Sequence, residues 1–86
     1  MGEAVVLGDA VVRALLTAVA TLEDLAEAGH DSHAALSTLE DIAHELGGMD
    51  SGERRRFSEV LERIAAEEPG RAAWIRSVPR ALGLDR

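Results

Sequence analysis

Residues 36–65, LSTLEDIAHELGGMDSGERRRFSEVLERIA, decide how the chain must fold. Leu36, Leu39, Ile42, Ala43 and Leu46 recur every three or four positions, which puts them on one face of a helix. Phe57, Val60, Leu61, Ile64 and Ala65 repeat the pattern after a break. Gly47 and Gly48 supply the break, Met49 is an apolar plug for the turn, and Asp50 with Glu53 has capping-box spacing. The stretch predicts two helices, at about 33–46 and 51–67, closing on each other as a hairpin through their apolar faces. On the outer face of the second, Arg55, Glu59, Arg63 and Glu67 alternate in sign every four residues. Such exposed pairs contribute about 0.2–0.5 kcal/mol each and support the helix without marking a site.

Working outward, Asp9 is a good N-cap for a helix over about 10–28 that stops at Gly29, a residue free to adopt the left-handed conformation. Val11, Val12, Leu15, Leu16, Ala18, Val19, Leu22, Leu25 and Ala26 cover roughly half of its circumference. That arc exceeds the usual stripe of a surface helix. The helix is therefore either central in the monomer or shared with a second subunit, and a homodimer through Val11, Val12, Leu15, Leu16, Val19 and Leu22 is expected. Residues 1–8, with Val5, Val6 and Leu7, are expected to pack on the rest or to join this helix. His30, Asp31 and Ser32 form a link in which Asp31 or Ser32 caps the next helix. Beyond residue 67, Pro69-Gly70 breaks the chain before a short helix over about 71–77 that turns Trp74, Ile75 and Val78 inward. Pro79 opens a terminal turn at about 79–82, and Leu82 and Leu84 close the core. The fold class is all-α: one domain, 1–86, built as a small antiparallel bundle of three main helices plus a short C-terminal one.

An 86-residue chain supports one core, burying about 60–65% of the surface that it exposes unfolded. Cysteine is absent, which excludes disulfides, thiolate metal sites and cysteine nucleophiles and makes the cytoplasm the expected compartment. No apolar run approaches the roughly 20 residues that span a bilayer. Met1-Gly2-Glu3 lacks the basic start of a secretory signal, and Val6 stands where N-myristoylation requires Ser or Thr. Lys, Asn, Gln and Tyr are absent too, a bias expected of a GC-rich bacterial genome. The net charge is −7, and it is unevenly spread. Arg13 is the one base before Arg54, whereas eight arginines face five acids from Arg54 onward. An acidic total opposes nonspecific binding to nucleic acid or anionic membrane and favours a basic protein partner.

Candidate sites follow from the same helices. His33, Ser37, Glu40 and His44 share a stripe with Asp41 at its edge, but His33 and His44 lie about 16 Å apart along one helix and cannot share an ion. Glu40 or Asp41 with His44 forms at most half of a weak metal site. Asp41-x-x-His44 and Glu27-x-x-His30 mimic the Glu-x-x-His element of di-metal bundles, the second interrupted by Gly29. An ordinary solvated face is the reading adopted, with no metal or cofactor. Arg54, Arg55 and Arg56 open a helix after a short turn, where a helix-turn-helix protein presents base-reading residues, which makes a DNA-binding regulator the competing function. Trp74 beside Arg71 and Arg76 is a core residue or an interface anchor. Ser32, Ser37, Ser51, Ser58 and Ser77 lack a nucleophile-elbow context and no Gly-rich loop cradles phosphate, so catalysis is not expected.

In size, acidity and helix number the chain resembles the small immunity proteins that neutralise nuclease bacteriocins. Those proteins carry a tyrosine pair and this chain has no tyrosine, so no residue role is transferred. The expected function is a noncatalytic acidic interaction module, regulatory, accessory or immunity-type. Glu23, Asp24, Glu27, Glu40, Asp41 and Glu45 would form the field that a basic partner meets.

Overall fold

A computed structural model describes residues 8–29 and 32–84 of the chain. The expectations placed on Val5, Val6, Leu7, His30 and Asp31 lie outside the described residues. The protein is all-α. Helix α1 spans Asp9–Ala28, α2 Ser32–Leu46 and α3 Ser51–Glu67; a 3-10 turn at Pro69–Arg71 leads into α4, Ala72–Ala81. The described residues contain no strand.

Most helix ends follow from local chemistry. Gly29 takes φ 83° at the end of α1, a conformation that costs glycine little. Asp50 and Glu53 close the capping box: the Glu53 amide donates to Asp50 Oδ1 at 2.8 Å and the Asp50 amide to Glu53 Oε1 at 2.9 Å. Helix α3 ends where Glu68 precedes Pro69 and is pushed out of the helical region, to φ −130° and ψ 70°.

Two boundaries differ from expectation. Gly8, not Asp9, is the N-cap of α1, because the Asp9 carboxylate turns to Arg63 of α3. Helix α4 also runs through Pro79 instead of restarting there. The missing amide falls in the last turn, and burial of Ile75 and Val78 on the core face keeps the helix continuous past it.

Helix pairing departs furthest from the sequence reading. The two helices of residues 36–65 do not close on each other; α2 packs on α1, whereas α3 packs on α4 and on α1. Ala35 is the buried residue of α2, with Leu39, Ile42 and Leu46 half-buried along the same side. Leu36, assigned to the core wall, is 52% exposed. The main core joins Val12 and Leu16 of α1 to Val60, Leu61, Ile64 and Ala65 of α3 and Ile75 and Val78 of α4, with Phe57, Ala72, Trp74 and Leu82 packed at its edge. The α1–α2 pair thus extends away from that core. The radius of gyration is 13.7 Å and the extents are 47 × 29 × 25 Å, against about 12 Å for a compact domain of this length.

This partition makes a direct prediction. Ile64→Ala should lower unfolding stability by about 2–5 kcal/mol, as deletion of a fully buried side chain does. Leu36→Ala should change it by no more than about 0.5 kcal/mol. Urea denaturation monitored by far-UV circular dichroism distinguishes the two.

Candidate functional site

Helices α1 and α2 carry the acidic residues singled out from the sequence. Asp24 and Glu27 of α1 and Glu40, Asp41 and Glu45 of α2 are all exposed. None of these five enters an ion pair among the described residues. Glu23 is different: its Oε1 accepts the indole Nε1–H of Trp74 at 2.9 Å, which ties α1 to α4. Trp74 is half-buried at the core edge, and the Arg71 guanidinium lies 5.3 Å from its ring centroid, within cation–π range.

The arginines, by contrast, are largely engaged within the chain. Arg63 donates to both oxygens of Asp9, at 2.7 and 3.2 Å. Arg13 bridges Glu67 and Glu68, Arg71 bonds Glu68 at 3.0 Å and Arg76 bonds Glu62 at 3.1 Å. Arg63 and Glu67, expected to pair along their own helix, therefore join α3 to α1 instead. Periodicity reports only neighbours on one helix, and so it missed partners supplied by another.

Arg54 makes the most connected contact. Its guanidinium donates to the carbonyl oxygens of Met49 at 3.2 Å, Gly47 at 3.1 Å and Leu84 at 3.0 Å. One side chain thus clamps the α2–α3 turn to the C-terminal segment, using the planar fork that only arginine offers. Of the three arginines that suggested a DNA-reading helix, Arg55 and Arg56 are left exposed. The other element of that reading, a packed α2–α3 pair, is replaced by the α1–α2 and α3–α4 pairs.

Of the residues expected at an interface, Val12, Leu16 and Val19 are buried inside the chain, and Leu15, Leu22 and Trp74 are half-buried. Val11 is 57% exposed and borders an open groove of about 330 Å³. Leu15, Leu46, Met49, Phe57 and Val60 line the groove, with Glu53, Arg56, Glu59 and Arg63 around it. The sequence had marked Met49 and Phe57 as apolar but gave no sign that α1 and α3 would leave this space between them.

His33, Glu40 and His44 remain exposed along α2. Among the described residues no three His, Asp or Glu side chains gather closely enough to hold a metal ion, and no helix is long and apolar enough to cross a membrane. Compared with known proteins, the chain matches no family model, no curated protein and no solved structure.

The interhelical ion pairs set an acid response. Hydrogen bonding to Arg63 lowers the Asp9 pKa, and hydrogen bonds from Arg71 and then Arg13 lower that of Glu68. A carboxylate held below its unfolded value, about 4, stabilises the fold above that value and loses the contribution as pH falls through the folded pKa. Urea midpoints should therefore drop between neutral and strongly acidic pH. The double variant Asp9→Asn/Glu68→Gln should start lower at neutral pH and fall less. Independently, Arg54→Ala should cost about 1–3 kcal/mol, and Arg54→Lys should recover less than half of that, since one ammonium cannot span the three carbonyls.

Proposed function

We propose that this protein is a noncatalytic interaction module that receives a basic protein surface on its α1–α2 face. The observation that carries this reading is the separation of charge by use. Arg13, Arg54, Arg63, Arg71 and Arg76 are bound to carboxylates or carbonyls of the chain itself, while Asp24, Glu27, Glu40, Asp41 and Glu45 stand exposed without ion pairs among the described residues. Glu23 adds its charge while holding Trp74. A single-sign field on one helix pair accelerates encounter with an oppositely charged partner and fixes its orientation. Beyond α1–α2, arginines occupy Glu62, Glu67 and Glu68, which leaves fewer free carboxylates there to compete for that partner.

A short arginine-rich peptide serves as probe, with Trp74 fluorescence or peptide anisotropy as readout. Affinity should fall steeply as salt rises from about 0.01 to about 1 M, over which the screening length shrinks from roughly 30 to 3 Å. Neutralising Asp24, Glu40 and Asp41 to Asn or Gln should weaken binding more than neutralising Glu59, Glu62 and Glu67, although both sets remove the same charge. Equal weakening would assign the effect to total charge and defeat the reading, as would affinity indifferent to salt.

A further inference from the structure

Two features of the surface select no occupant. Ala14, Ala18, Thr21 and Leu25 form an exposed outer row of α1 made mostly of small side chains, and the histidines of α2 stand apart from any third metal ligand. The groove between α1 and α3 is more specific, because three helices shape it and its charged rim is unequally engaged.

Val11 and Leu15 of α1 face Phe57 and Val60 of α3 across the groove, joined by Leu46 and Met49 from either side of the α2–α3 turn. Every lining residue that is not charged is aliphatic, methionine or phenylalanine. The volume of about 330 Å³ lies at the small end of ligand sites and holds about ten methylene groups at roughly 30 Å³ each. One turn of helix, about 10 Å across and 5.4 Å long, already displaces roughly 400 Å³, so the space suits a single alkyl chain rather than an inserted helix. Met49 is unbranched and adapts to irregular gaps, which lets the wall follow such a chain.

Charge sets the other end of the ligand. Arg63 donates to both oxygens of Asp9, which raise its pKa, and Glu67 and Glu59 add to that effect. Glu53 is held by the capping box, where it accepts the Asp50 amide. Arg56 is exposed and enters no ion pair or hydrogen bond among the described residues. The rim thus offers one uncommitted cation beside an apolar trough.

We propose that this groove binds a free medium-chain alkyl carboxylate, with the tail between Val11 and Phe57 and the carboxylate on Arg56. The tail covers Val11, an aliphatic side chain left 57% exposed by the fold. A guanidinium accepts a carboxylate through two parallel N–H donors, which fixes the direction in which the ligand lies. The net charge of −7 opposes an anionic bilayer far more than a single dissolved anion. Asp24, Glu40 and Asp41, which meet a basic partner in the proposed function, do not line the groove, so this proposal stands or falls separately from that one.

Titration calorimetry with decanoate, decan-1-ol and decyltrimethylammonium below their micellar concentrations tests it. Decanoate should bind one per chain, about fivefold more tightly than the alcohol, and the ammonium should bind more weakly than either. Shortening decanoate to hexanoate should weaken binding about fourfold per methylene. Arg56→Ala should lower decanoate to the affinity of decan-1-ol and leave the alcohol unchanged, whereas Arg55→Ala, at the neighbouring exposed arginine, should change neither. Val11→Glu, at a position exposed in the fold, should abolish decanoate binding with the far-UV circular dichroism intact. Methyl resonances of Val11, Leu15, Leu46 and Met49 should shift on titration. Absence of decanoate binding, equal affinity for decanoate and decan-1-ol, undiminished binding by Arg56→Ala protein, or shifts confined to other methyl groups would each overturn the proposal. So would retention on phosphatidylglycerol vesicles that depends on Arg56, which would assign the groove to a membrane surface. Binding that emerges only after deletion of residues 2–7 would assign the groove to the chain's own first residues and overturn it as well.

Discussion

Val12 and Leu16 are the residues of α1 that enter the main buried cluster, and every other member of that cluster belongs to α3 or α4. The joint between the α1–α2 pair and the α3–α4 pair is thus little more than one turn of helix. Two ion-pair clusters flank it, Asp9 with Arg63 and Arg13 with Glu67 and Glu68, and the Trp74–Glu23 hydrogen bond extends it toward the other end of α1. Exposed pairs of this kind contribute little each. Their value is directional: they fix the angle and register of a small apolar contact that alone would tolerate sliding.

The elements were readable because helix ends depend on neighbours in sequence. The capping box at Asp50, the left-handed Gly29 and the stop before Pro69 are all decided within four residues. Helix pairing was not readable, because periodicity shows that a face is apolar and not which face it will meet. In α2 the larger Leu36 drew the stripe to one side, while the structure turns the smaller Ala35 inward, since an alanine lets α1 approach closely. The Arg54 clamp was hidden for the same reason. Its acceptors are carbonyls of a turn and of a segment thirty residues away, and backbone oxygens leave no mark in a sequence. Of the candidate site, the identity of the acids was legible and their freedom from ion pairs was not, because that freedom depends on where the arginines are spent.

Charge and apolar surface are sorted by the same division. Arg54, Arg63, Arg71 and Arg76 bind the chain to itself, whereas Asp24, Glu27, Glu40, Asp41 and Glu45 and the outer row of α1 stay open to solvent. A chain of this size has room for few surfaces beyond those that hold it together.

The narrow joint also bears on the order in which the molecule forms and opens. Each helix pair is made of segments adjacent in sequence, so each closes over a short loop, and the joint of α1 with α3 and α4, at Val12 and Leu16 and the polar contacts beside them, must wait for distant segments to find each other. Low contact order of this kind favours fast folding, with local hairpins formed in advance of the final docking step. The reverse path is equally graded. Rupture at the joint frees the two pairs as cooperative units before either unwinds, so amide exchange in the native state would be expected to report two protection levels rather than one.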